Sequence, residues 1–447
     1  MDEALETRIR ELAEELWRVE PSSWRRPATA IGRRQLGSLD GRPALRSAMF
    51  RFVDAAPACH GPIDRGAHLR AFLREVDGEP IPPMLRPLRG RAAPRALLGA
   101  YGLASGPATA LLARQFIAGR DVKAATRNLR GMWRRGQAFA LDLLGESTVS
   151  EPEAEAYFKR CAETLRVLAE VTRDWPEHPL LDADQHGSLP RANLSIKLTA
   201  LTPLLRPLAP ERGAEDAARR LRPLLRLARE LRAHVHLDME DFDSRETLLL
   251  AFEDVLASEE FRDAPSVGVV VQAYLRDADE TLDRILSSPS LTDRGVPPTI
   301  RLVKGAYWDH ENVIAGQRGW EVPVWSEKRE SDACFERLTR RLIDSRDSVR
   351  PAVATHNLRS LAHAVAYLER CGGRPAELEL QVLRGLGDEL GDGLSRLGYR
   401  VRIYTPIGDL VAGMAYLVRR LLENSSNEGF LLRQRHQSLD ELLQAPA

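Results

Sequence analysis

Lys197 and Lys304 are two of only five lysines in a chain whose basic residues are otherwise all arginine; Lys123, Lys159 and Lys328 are the rest. Both stand inside apolar runs, SIKLTAL and RLVKGA. A lysine so placed either snorkels to the surface or holds its ammonium against an anion. In HVHLD, strand alternation puts His234, His236 and Asp238 on one face. H-x-H on a barrel strand is a metal-hydrolase pattern, and Lys304 and His356 are candidates to complete it. Here, however, His234 stands at the strand's start, and no aspartate from a last strand closes the set, so two packed or solvated histidines are the favoured reading. Further on, Tyr416, Arg419, Arg420 and Glu423 fall at i, i+3, i+4 and i+7, one face of a helix. The bland reading is a solvated stripe with an Arg419–Glu423 pair. Against it, Leu417, Val418, Leu421 and Leu422 already supply a packing face. Two adjacent guanidinium groups beside a tyrosine make a clamp for a small carboxylic acid, because each offers bidentate donors. GLG at 385–387 lacks the third glycine and spaced acid of a dinucleotide fingerprint and reads as a turn.

These residues need a scaffold. Residues 1–135 read as helical throughout, amphipathic segments broken by Pro and Gly clusters such as PPMLRPLRGR. From 136 onward, eight apolar or β-branched runs recur at 138–146, 193–201, 234–241, 267–274, 299–309, 352–357, 378–385 and 401–409. Each is followed by a helix-length amphipathic stretch. Alternation of this kind gives right-handed parallel crossovers. Eight such units fit an α/β fold of the (β/α)8 TIM-like barrel type better than a doubly wound open sheet. The expected layout is a helical arm over 1–135, a barrel over 136–432 and a C-terminal tail over 433–447. In a barrel, strand C-terminal ends line the active site. The polar residues there are Asp142, Glu146, Lys197, Asp238, Gln272, Arg301, Lys304, Tyr307, His356, Gln381 and Tyr404, more chargeable groups than a structural rim needs.

Composition sets the outer limits. The 447 residues suit two to three domains, and 43% hydrophobic with 29% charged residues is ordinary globular composition. Sixty-four basic residues balance sixty-four acidic ones, so no global field draws the chain onto nucleic acid. No apolar stretch approaches the ~20 residues of a membrane-spanning helix. The N-terminus is acidic and helix-periodic, unlike a signal peptide. Cys59, Cys161, Cys334 and Cys371 lack metal-type spacing, so no metal site and a reducing, cytoplasmic setting are expected.

The strings SIKLTAL, RLVKGAYWD, ATHN, ELQVLRGLGDEL and RIYTPIGDLVAGMAYLVRRLLEN resemble flavin-dependent proline dehydrogenase. The likeness is strongest to the proline dehydrogenase half of the bifunctional proline-utilisation enzymes. It runs in order from 136 to 430 and weakly through the helical part. It implies a distorted (β/α)8 barrel that oxidises L-proline to Δ1-pyrroline-5-carboxylate, the first step of proline catabolism to glutamate. Hydride would pass to N5 of FAD and electrons to a membrane quinone. Residue by residue, the resemblance assigns Lys197, Asp238, Tyr404, Tyr416, Arg419 and Arg420 to proline, with Arg419, Arg420 and Lys197 on its carboxylate. It sets Tyr307 and Leu383 against both substrate and cofactor. To FAD it assigns Gln272, Arg301, Lys304, Gly305, Ala306, Tyr307, Trp308, Thr355, His356, Asn357, Gln381, Leu383 and Glu423. Glu146 and Arg419 would pair as a gate. Met239 stands where the family suggests a smaller residue. Neither the aldehyde dehydrogenase half nor the DNA-binding segment of many bifunctional members is expected here. The chain is therefore read as a stand-alone enzyme or an excised N-terminal half, with a pyrroline-5-carboxylate dehydrogenase as a separate or excised partner. A cytoplasmic protein peripheral to the inner membrane face is the expected setting.

Overall fold

The structure, a computed structural model, describes residues 3–18, 42–90, 93–145, 147–205, 207–409 and 439–446. The helical arm contributes α1 (Glu3–Arg18), α2 (Pro43–Ala55), α3 (Pro62–Glu75), α4 (Arg95–Phe116) and α5 (Val122–Trp133). Eight strands follow: β1 (Gln137–Leu143), β2 (Asn193–Lys197), β3 (His234–Asp238), β4 (Ser266–Gln272), β5 (Thr299–Val303), β6 (Arg350–Ala354), β7 (Glu379–Leu383) and β8 (Arg400–Ile407). Between them run the longer helices α6 (Glu151–Thr172), α7 (Pro210–Glu230), α8 (Phe242–Leu256), α9 (Ala278–Ser287), α10 (Trp308–Arg318), α11 (Lys328–Asp344), α12 (Leu358–Arg370) and α13 (Asp388–Arg396). Every strand pairs in parallel with its neighbours and β1 closes on β8, so the sheet is a closed eight-stranded barrel. Each strand falls within or beside one of the eight expected runs.

Burial on both faces explains the strand sequences. All seven residues of β1 and all seven of β4 are buried, the continuous pattern of parallel strands covered by helices. α7 shows the complementary pattern: Leu221, Leu224, Leu225 and Ala228 turn a buried stripe toward the sheet. Register then sets the upper rim. Lys197 pairs with Asp238 at the ends of β2 and β3, Gln272 with Val303, and Leu383 with Tyr404.

Two features depart from the sequence pattern. A two-residue-per-strand hairpin (Ala183–Asp184 with Gly187–Ser188) carries Asp184 to the barrel's lower end, where Arg350 Nε donates to it at 2.6 Å. The arm also divides. Leu5, Ile9, Leu12 and Leu16 of α1 belong to the barrel's own hydrophobic core, whereas Leu45, Phe52, Leu69, Leu73 and Leu88 form a separate small one.

Inside the barrel, side chains of the lower half are ionic. Arg402 grips Glu379 with Nε and Nη2, each at 2.8 Å, and Gln381 donates to the same carboxylate at 2.7 Å. Burial alone would raise the Glu379 pKa; Arg402 and then Arg400 outweigh it and bring it down to about 2. Its stabilisation is therefore complete above the ordinary carboxylate value of 4.5 and is lost as pH falls through about 2. Glu379→Gln leaves a buried guanidinium uncompensated and should cost about 3–5 kcal/mol in urea unfolding at neutral pH. The difference from wild type should shrink as pH drops below 4.5. A pH-independent difference would show that the pair is not what Glu379 contributes.

Candidate active site

At the C-terminal ends of the strands the barrel opens into a cavity of about 840 Å³. Fifteen residues anticipated from the sequence line it: Lys197, Asp238, Gln272, Arg301, Lys304, Gly305, Ala306, Tyr307, Trp308, Thr355, His356, Asn357, Gln381, Leu383 and Tyr404. Glu146, Tyr416, Arg419, Arg420 and Glu423 lie outside the described residues.

Asp238, at the tip of β3, organises one end of the cavity. Its Oδ1 accepts from Arg301 Nη1 at 2.7 Å and its Oδ2 from the Tyr404 hydroxyl at 2.6 Å. The Arg301 guanidinium also lies 5.3 Å from the centre of the Tyr404 ring, a favourable cation–π distance. Lys197 Nζ is 2.6 Å from Asp142 Oδ1 and 3.7 Å from Asp238 Oδ2. Burial works against the lysine's charge, yet Asp142, Asp238 and Glu240 together outweigh it and raise its pKa. Lys197 is thus a fixed cation at neutral pH. Glu240, held by Thr199, shows the converse: burial pushes its carboxyl up against the pull of Lys197.

The other end is built from the β5 and β6 loops. Lys304 pairs with Asp332, which Lys328 also reaches at 2.6 Å. Burial lowers the Lys304 pKa, Asp332 opposes that, and Lys328 adds to it. Asn357 caps α12, its Oδ1 accepting from Ser360 N at 2.9 Å, so the positive end of a thirteen-residue helix begins at the cavity wall. His356 Nε2 accepts from Leu383 N at 2.9 Å and locks the β6 loop to β7. Gly305 adopts φ +126°, and a Cβ there would lie 2.3 Å from the Tyr274 ring. Only glycine lets the chain turn at that point.

Among the lining groups that escaped the sequence analysis are Glu240, Lys328 and Asp332. Glu240 follows Asp238 by two residues, beyond the strand. Lys328 and Asp332 share one turn of α11, and the rarity of lysine in the chain was the signal that could have found them. The H-x-H histidines are elsewhere. His234 and His236 sit beneath the cavity, 3.2 Å from each other, with His234 also 2.9 Å from Ser266 Oγ. Burial, then nearby arginines, depress both pKa values, so they are neutral packing residues rather than a ligand pair facing the mouth.

Comparison with known proteins gives two family matches: Proline dehydrogenase over residues 125–433 and Proline utilization A N-terminal domain over 6–116. Bifunctional protein PutA of Salmonella typhimurium is 30% identical over 345 residues, covering 75% of this chain and 25% of that protein. The chain thus spans a quarter of this relative's length. Proline dehydrogenase 1 of Bacillus subtilis is 29% identical over 325 residues, 73% of this chain and 91% of that protein. The solved structure of proline utilization A from Bdellovibrio bacteriovorus, inactivated by N-propargylglycine, superposes with a TM-score of 0.85. It is 33% identical and matches over 99% of this chain and 44% of that one.

The tight fit at Gly305 yields a prediction. Gly305→Ala must displace either Tyr274 or the loop, and should cost about 1–3 kcal/mol of overpacking in chemical unfolding. An unchanged midpoint would mean that the loop adapts without strain.

Proposed function

The chain belongs to the proline dehydrogenase family, and on that premise we propose that it oxidises L-proline to Δ1-pyrroline-5-carboxylate using FAD. The observation that carries this reading is the buried Asp238–Arg301–Tyr404–Lys197 cluster, which closes one end of a cavity with Lys304, Lys328 and the α12 N-terminus at the other. The residues present fit such a cofactor. Gln272 Oε1 and Arg301 Nε are buried polar atoms with no hydrogen-bond partner among the described residues, which suits the polar edge of a flavin. Two lysines and a helix N-terminus suit a diphosphate. The proposed FAD-holding set is Gln272, Arg301, the 304–308 turn, Thr355, His356, Asn357, Gln381, Leu383 and Glu423. Proline would be held by Lys197, Asp238, Tyr307, Leu383 and Tyr404, with Tyr416, Arg419 and Arg420 contributed by the segment outside the described residues.

When bound, the flavin supplies a hydride acceptor at N5 and a route for two electrons to a membrane quinone. The protein's own part is orientation and charge. Lys197 stays protonated and contributes a cation for the carboxylate. Being protonated already, it is not the acceptor of the amine proton, and with Asp238 engaged by Arg301 and Tyr404 solvent is the proposed acceptor. Asp238 instead fixes Arg301 and Tyr404, so that the guanidinium and the phenol ring hold one geometry as substrate arrives. Glu146 and Arg419 are proposed to close over the bound substrate. No helix among the described residues is long and apolar enough to cross a membrane; quinone contact is proposed to occur peripherally at the inner membrane face. A pyrroline-5-carboxylate dehydrogenase would consume the product.

Purified protein should carry FAD whose absorbance bleaches on anaerobic addition of L-proline, with a quinone analogue restoring colour. N-propargylglycine should inactivate it irreversibly. Failure to retain flavin, or retained flavin that proline does not reduce, would overturn the assignment. Asp238→Ala removes charge-assisted bonds at the cluster and should lower kcat/KM by roughly tenfold to a hundredfold while the protein still binds FAD. Unaltered kcat/KM would remove Asp238 from the machinery.

A further inference from the structure

The helical arm holds a second chemical cluster, remote in kind from the cavity. The chain leaves α2 through a short turn over Ala56–Ala58, reaches Cys59 and His60, and reverses at Gly61 (φ +108°) into Pro62, the first residue of α3. That reversal lays Cys59 beside the first two turns of α3, where Asp64 and His68 are spaced i, i+4 on one face. One ligand-type atom from each of Cys59, Asp64 and His68 lies within 4.8 Å of the other two.

We propose that Cys59, Asp64 and His68 form a three-ligand site for one zinc-class divalent cation, with a fourth position open to water. Thiolate, imidazole and carboxylate are together the donor set that zinc takes, with bonds of about 2.0–2.3 Å. Donor–donor edges of roughly 3.3–3.8 Å follow from those bonds, so side-chain torsions need close the gap by about an ångström. Much of the orientation is already built in. The backbone N–H of His60 donates to Asp64 Oδ2 at 2.8 Å, fixing the carboxylate, while His68 Nδ1 rests 3.2 Å from Asp64 Oδ1. His68 Nδ1 also lies 3.0 Å from the Asp64 backbone carbonyl, a contact that ligation through this nitrogen would exchange for a bond to the cation. The Cys59 thiol donates a hydrogen bond to the Ala55 carbonyl at 3.4 Å, which metal binding as thiolate would give up. Arg65 is directed to the carbonyls of Ala56 and Gly102.

The site has work to do. The core around Leu45, Phe52, Leu69, Leu73 and Leu88 is small and separate from that of the barrel, and small cores gain most from a staple. Cysteine spacing alone pointed to no metal, because this set draws one ligand from each of three residue types.

The full-length protein is titrated with Zn²⁺ against a chromophoric chelator, and in parallel with Co²⁺. The expected result is one tight equivalent, a thiolate-to-cobalt charge-transfer band, and protection of Cys59 from a thiol reagent located by mass spectrometry. His68→Ala, at an exposed position, and Cys59→Ser should each weaken binding by more than the roughly 10–100-fold that outer-shell partners are worth. Cys371→Ser should leave it unchanged. Absence of a tight equivalent, unaltered affinity in both ligand variants, or loss in Cys371→Ser would each overturn the site.

Discussion

Asp238 carries a negative charge in a place almost closed to water, and each neighbour at the rim is arranged around that fact. Its two oxygens are taken by Arg301 and Tyr404, and Lys197 stands 3.7 Å away with Asp142 behind it. Neither charge is tolerable alone, since an unpaired buried ion costs several kcal/mol. The cluster therefore stands or falls together. Barrel register makes it possible: parallel pairing puts Lys197 opposite Asp238 with no loop involved, so the positions are set by the sheet rather than by flexible chain.

The same constraint runs down the barrel axis. Beneath the rim, two neutral histidines share a small polar pocket with the Glu379–Arg402 pair, Arg400 and Arg350, and Asp184 takes the Arg350 guanidinium. An apolar interior would pack a barrel more cheaply; here the aliphatic core lies between strands and helices, with Val235, Leu237, Val269 and Leu302 fully buried. The histidines are uncharged members of this lower tier, and Arg301 and Gln381 line both its pocket and the cavity above.

Much of this was legible in the sequence, because parallel strands buried on both faces announce themselves as short apolar runs and their C-terminal residues fall on one rim. Lys197 and Lys304 stood out as rare lysines in apolar runs. What did not show was anything that depends on pairing across loops. Asp184 sits in a hairpin too short to leave a periodic pattern, and its role appears only once Arg350 is beside it. Glu240 and Asp332 look like ordinary surface acids until the fold places them on the cavity wall.

The cavity wall also reaches beyond the barrel. Arg359, in the first turn of α12, lines the cavity, yet its guanidinium is saturated from outside. It meets Glu6 of α1 at 2.7 and 2.8 Å, Glu336 of α11 at 2.9 Å, and the Leu443 carbonyl at 2.9 Å. Leu443 is itself buried in the barrel's hydrophobic core, and Glu441, Gln444 and Pro446 border the cavity beside it. One buried cation thus joins the two ends of the described chain to the helix whose N-terminus faces the cavity. Since α1 contributes Ile9 and Leu12 to the same core, loss of either terminal segment would leave Arg359 short of partners at the wall of the site. The barrel supplies the rim chemistry; the terminal segments supply part of the enclosure that chemistry requires.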